Sequence, residues 1–131
     1  MSETDVAGQL AADFAGAWNK HDMTALADLF RDDATFVNVR GTYMRGREEI
    51  REGHGLTHAG PYRNATLSAE VQDVREVVPG VIVAHLRTEV RGDERTPEEV
   101  RHSLLTLVIE RQADLWLIVT GHNTVVVPPP G

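Results

Sequence analysis

The stretch ATLSAEVQDVREVVPGVIVAHLRTEV, residues 65–90, decides how this chain folds. Ala65, Leu67, Ala69 and Val71 alternate with polar residues, the period-two pattern of a half-buried strand. The phase then slips, because Val74 and Val78 fall on even numbers. One extra residue near Gln72–Asp73 would produce that slip, so a bulge or sharp bend is expected there. Pro79–Gly80 is a turn signal, and Val81 to Val90 reads as the returning strand.

Toward the C-terminus, Gly92–Asp93 and Thr96–Pro97 mark an exit loop. His102 to Ile109 and Leu115 to Thr120 read as two more strands, joined around Gln112–Asp114. Both are apolar on both faces. Leu104 and Val108 oppose Leu105, Leu107 and Ile109, while Leu115, Leu117 and Val119 oppose Trp116 and Ile118. Helices cover only one side of such a sheet. The other would be an exposed apolar patch, so a two-fold homodimer through the sheet face is expected. One domain over residues 1–127 is expected, with 128–131 (Pro-Pro-Pro-Gly) as an extended tail.

Toward the N-terminus, Val6, Leu10, Phe14 and Trp18 recur at helical spacing. Ser2 or Thr4 can cap this helix, and Asn19–Lys20–His21 end it. Asp22 is expected to cap a shorter helix whose apolar side is Met23, Leu26, Leu29 and Phe30. ATFVNVRGTYMRG, residues 34–46, reads as a short hairpin around Arg40–Gly41. A third helix starts near Gly46 with Ile50 and Leu56 inward; Gly53 and Gly55 each weaken it by roughly 1 kcal/mol relative to alanine. Helices followed by strands indicate α+β. The expected shape is a cone, a curved antiparallel sheet wrapped around three helices.

The 131 residues suffice for one core. Without cysteine, thiolate zinc sites and cysteine nucleophiles are excluded. A net charge of −7 disfavours nucleic acid and anionic membrane as partners. The acidic N-terminus lacks the basic region of a secretory signal, and no apolar run approaches a membrane span, so a cytoplasmic protein is expected. Ser68 and Ser103 lack a GxSxG elbow, and no phosphate loop is present.

FAGAWNKHDMTALADLFRDDATFV (14–37) resembles the opening of the nuclear transport factor 2-like, or SnoaL-like, cone fold, a cystatin-like α+β barrel. YMRGREEIREGHGLTHAGPYRNATL (43–67) and LLTLVIERQADLWLIVTGHNT (104–124) resemble SgcJ/EcaC-type proteins of enediyne antibiotic biosynthesis. The resemblance implies a dimer with a deep pocket at the wide end of the cone. It also implies an apolar, polyene-like small-molecule ligand and association with a polyketide synthase. Such proteins are often labelled oxidoreductases. No GxGxxG loop supports a nicotinamide or flavin here, and no cofactor is expected.

Ketosteroid isomerases of this fold use an aspartate base with a tyrosine and a protonated aspartic acid. Alignment with them places Asn38 at the base, Phe14 at the tyrosine and Thr106 at the acid, so that chemistry is not retained. The resemblance leaves a relined pocket. His54, aligned with a pocket tyrosine, is the candidate catalytic acid–base, with a pKa range suited to that work. Trp18, Asn38, Tyr43, Thr106 and Asn123 are the candidate substrate-binding residues. His122 and Asn123 point to opposite faces, and the alignment selects Asn123. His54 and His58 share a helix face, but no third ligand is evident and no metal is expected. His85, Arg87 and Glu89 read as a solvated strand face or a polar dimer rim. The function expected is cofactor-free isomerisation or cyclisation of a polyene, or non-catalytic carriage of it.

Overall fold

Ser2 begins the first helix by a reciprocal cap: its hydroxyl accepts from the Asp5 N–H, and the Asp5 carboxylate accepts from the Ser2 N–H. The computed structural model describes residues 2–128. Helix α1 (Glu3–Asn19) buries the Val6–Leu10–Phe14–Trp18 stripe. His21 ends it in the left-handed region (φ 55°), where its N–H bonds the Trp18 carbonyl and the Asp22 N–H bonds that of Ala17. The Asp22 carboxylate then caps α2 (Met23–Ala27) through the Ala25 N–H.

Phe30 departs from its expected place on α2. It opens β1 (Phe30–Val37), where it is fully buried beside Ile118. An aromatic side chain gains more from this inner sheet position than from the end of a five-residue helix. β1 pairs antiparallel with β2 (Tyr43–Arg45) as the expected hairpin, turned by Gly41 at φ 82°. Then come α3 (Gly46–Ala59), β3 (Thr66–Val78), β4 (Val81–Arg91), β5 (Val100–Gln112) and β6 (Leu115–Val125). On α3, Ile50 is buried but Leu56 is 79% exposed, contrary to expectation. Six residues on from Ile50, Leu56 has rotated off the buried stripe, which continues instead through His58.

The sheet is open, with order β2-β1-β6-β5-β4-β3. All neighbours are antiparallel except β1 and β6, which are parallel. These two lie far apart in sequence, so no hairpin dictates their direction. The bulge expected near Gln72 is present as a register shift between Val71 and Asp73. Another shift, opposite Val108/Ile109, makes Val119 the extra residue of β6. It turns Gly121 and Asn123 to the inner face. A Cβ on Gly121 would sit 2.9 Å from the Phe36 ring.

α1 lies on β3, α3 on β1 and β2, and α2 joins the two helices, all on one sheet face. Along that face the composition is graded. Phe30, Ile118, Ile109 and Ile82 form a fully buried row. Phe36, Gly121, Leu107 and Ala84 form the next, then Asn123, Leu105 and Leu86. Val125, Ser103 and Thr88 follow, and Arg101 pairs with Val90 beyond them. The inner face thus turns from aliphatic to polar along the strands. The proline-rich segment expected at 128–131 lies outside the described residues apart from Pro128. Among the described residues, no helix is long and apolar enough to cross a membrane.

Candidate functional site

Where the inner face turns polar, the helices leave a cavity of about 760 Å³. Phe14 and Trp18 of α1, Phe36 of β1, Met44 of β2, Leu67 of β3 and Leu105 of β5 make its apolar wall. A mostly apolar concavity with a few placed polar groups is the usual form of a small-molecule site.

Four of the six residues singled out from the sequence line this cavity: Trp18, Asn38, His54 and Asn123. Tyr43 and Thr106 do not, and both are corrections. Tyr43 is 55% exposed, with the Arg45 guanidinium 5.7 Å from its ring centre, because Met44 takes the inward position of β2. Thr106 lies between inward Leu105 and Leu107, so it faces the outer side, beside His85 and His122. A slip of one residue in a strand exchanges the faces.

His54 Nδ1 lies 2.8 Å from the Ile50 carbonyl oxygen. A carbonyl only accepts, so Nδ1 carries the proton and Nε2 is the unprotonated, basic nitrogen, without a hydrogen-bond partner among the described residues. Burial pushes the His54 pKa down, which keeps the ring neutral. The Phe36 ring stands edge-on to it at 5.1 Å. Asn38 is partly committed elsewhere. Its side-chain oxygen accepts from the Arg40 and Thr42 N–H groups at 3.0 and 2.9 Å and so holds the hairpin turn. Only its amide NH₂ is left for a ligand. The Asn123 Oδ1 is buried and has no partner among the described residues.

His58 is buried on α3, and its Nδ1 lies 2.8 Å from that of His21, so one proton serves both nitrogens. Burial first, then the neighbouring His21 and His54, lower its pKa to about 4. On the helix face shared by His54 and His58 each Nδ1 is bonded, one to Ile50 and the other to His21, and among the described residues no group of three or more histidine and carboxylate side chains is placed to hold a metal ion.

A second polar cluster was not anticipated. Asp93 is 5% exposed and accepts a guanidinium fork from Arg95 at 3.0 and 2.8 Å, with Arg101 at 3.4 Å. Arg95 chiefly, with Arg101, holds its carboxyl below the usual carboxylate range. Arg101 also donates to the Tyr62 hydroxyl. Both guanidiniums stand over the Tyr62 ring, at 5.4 and 5.3 Å from its centre. Tyr62, Thr88, Asp93, Arg95 and Arg101 all line the cavity. Two signals for them were present in the sequence. Thr88 follows Leu86 and precedes Val90 in the inward phase of β4. Arg101 continues the odd-numbered inward phase of Ser103, Leu105 and Leu107. Asp93 carries no such periodicity because it sits in a loop.

Chemically, the site combines one neutral imidazole in an apolar wall with a caged, ionised carboxylate that is not available as a base. A SnoaL-like domain profile matches residues 11–121. Among solved structures, a domain of unknown function with a cystatin-like fold from Nostoc punctiforme is similar, at 23% identity and TM-score 0.86, covering 96% of this chain and 78% of that one. An uncharacterised protein with a cystatin-like fold from Caulobacter vibrioides matches at 26% identity and TM-score 0.82, covering 96% and 91%. A ketosteroid isomerase-like protein from Erwinia carotovora atroseptica matches at 15% identity and TM-score 0.79, covering 97% and 98%. No curated protein matches the chain.

Proposed function

The chain belongs to the SnoaL-like domain family, and from that premise we propose that its cavity binds a long, apolar, polyene-like intermediate of polyketide biosynthesis, of the enediyne type, and isomerises or cyclises it without a cofactor. The observation that carries this reading is the His54 imidazole, neutral and with Nε2 free, lining a mostly apolar cavity of about 760 Å³. Nε2 takes a proton from an activated carbon of the polyene. The C–H electron pair shifts along the conjugated system, and the same nitrogen returns the proton to a distant carbon. No oxidant or reductant enters this balance. The resemblance of residues 43–67 and 104–124 to SgcJ/EcaC-type proteins supports the biosynthetic setting, a cytoplasmic location and contact with the synthase.

Leu104, Thr106, Val108 and Leu117 lie on the outer sheet face and are half-buried in the single chain. We read this face as the surface of a two-fold dimer.

A second reading, a non-catalytic carrier, is favoured by the Asn38 oxygen being committed to a turn and by Asp93 being held between two arginines. Incubation with the polyene released by an enediyne synthase separates the two. A new product mass or a shifted chromophore, lost in His54→Ala while binding persists, is expected of the enzyme. A stoichiometric complex with unchanged polyene in native mass spectrometry identifies a carrier.

A further inference from the structure

Three residues that line the cavity each carry a buried polar atom with no partner among the described residues: Thr88 Oγ1, Arg101 Nε and Asn123 Oδ1. Buried polar groups are ordinarily hydrogen-bonded, so such a set calls for a reason. Thr88 is 2% exposed, and its neighbour across the β4–β5 pairing, Ser103, is equally buried with an equally unpartnered hydroxyl. Arg101 stands one inward position further along β5, with one Nη on the Tyr62 hydroxyl and another on Asp93. The Tyr62 oxygen accepts from Arg101, so its own proton is left to donate.

Charge points the same way. The chain carries −7 overall, yet the charged cavity-lining groups are three guanidiniums (Arg40, Arg95, Arg101) against two carboxylates (Asp93, Glu99). Asp93 cancels about one of the two cations it touches and orients both. Resting on the reading that the cavity takes an apolar small molecule, we propose that the ligand is an amphipathic acid. Its carboxylate is received by Arg101 Nε, Thr88 Oγ1 and the Tyr62 hydroxyl, while its tail lies along Trp18, Phe14 and Phe36. Arg101 and Tyr62 would then determine which ligands bind, and Asp93 would position Arg101. Charge-assisted bonds to a guanidinium discriminate against an uncharged end group.

The probes are cis-parinaric acid, a fluorescent polyene acid, and its methyl ester, titrated into the full-length protein at low salt. The acid is expected to bind at least tenfold more tightly than the ester. Arg101→Gln should remove that preference, bringing the acid-to-ester ratio to about one. Arg101→Gln also withdraws a partner from Asp93, so Tyr62→Phe and Thr88→Val serve as milder variants. Each should reduce the acid-to-ester ratio severalfold with circular dichroism unchanged. Equal binding of acid and ester by the wild type, or a ratio that survives all three substitutions, overturns the carboxylate site and leaves the apolar-ligand reading standing. Binding of neither probe removes both.

Discussion

His58 makes stability depend on pH in a direction and an amount that follow from its surroundings. It is 6% exposed, packed against Trp18 at 4.4 Å and Tyr62 at 5.7 Å, with Nδ1 on His21. Its folded pKa is about 4 against an ordinary 6.5. The unfolded chain therefore binds a proton between those values that the folded chain does not. Stability is then complete above pH 6.5 and is lost as pH falls toward 4. Linkage with these two values gives a loss of about 2 kcal/mol by pH 5 and about 3 kcal/mol by pH 4. The assay is urea unfolding at a series of pH values for the wild type and for His58→Gln. The variant loses packing and is less stable at pH 7, but it lacks the titrating ring. Carboxylates titrate in both proteins and cancel in the difference. The wild-type curve is therefore expected to fall more steeply than the variant's, the gap closing by about 3 kcal/mol at pH 4. Parallel curves would refute the reasoning, because the ring would then not be buried in its neutral form.

The glycines separate by their surroundings. Gly121→Ala places a methyl group 2.9 Å from the Phe36 ring and 3.1 Å from Leu107, and should destabilise by about 1–3 kcal/mol in urea unfolding. Gly55→Ala, inside α3 with nothing within 4 Å, should stabilise by about 0.5–1 kcal/mol in the same assay. For the outer sheet face, Leu104→Arg should convert a dimer into a 14.5 kDa monomer in analytical ultracentrifugation. A monomeric wild type would overturn the dimer reading.

Much of this was legible locally. The α1 stripe, the Asp22 cap, the Arg40–Gly41 hairpin and the bulge near Gln72 all follow from spacing and phase, because each depends on residues within a turn or two. The cavity was legible only in part. β6 is apolar on both faces around Val119, so its bulge leaves no polar–apolar slip to read, unlike the slip in β3. Thr106 was misplaced because strand alignment carries no information about face unless the register is known, and Tyr43 because a three-residue strand has too little alternation to show that Met44 takes the inward position. Phe30 was misassigned because an apolar residue just past a short helix fits helix and strand equally well.

The sequence alone determined the α+β class, the order of helices and strands, and most of the turns, since these rest on periodicity and on residues with special backbone preferences. Only the tertiary structure decided what meets in the cavity. The parallel pairing of β1 with β6 brings Phe36 beside Gly121, α3 and the α1–α2 turn bring His58 to His21, and the exit loop brings Asp93 and Arg95 to Arg101 and Tyr62. Those contacts join residues that impose no pattern on one another along the chain. They exist because the packing of the helices against the sheet holds them together.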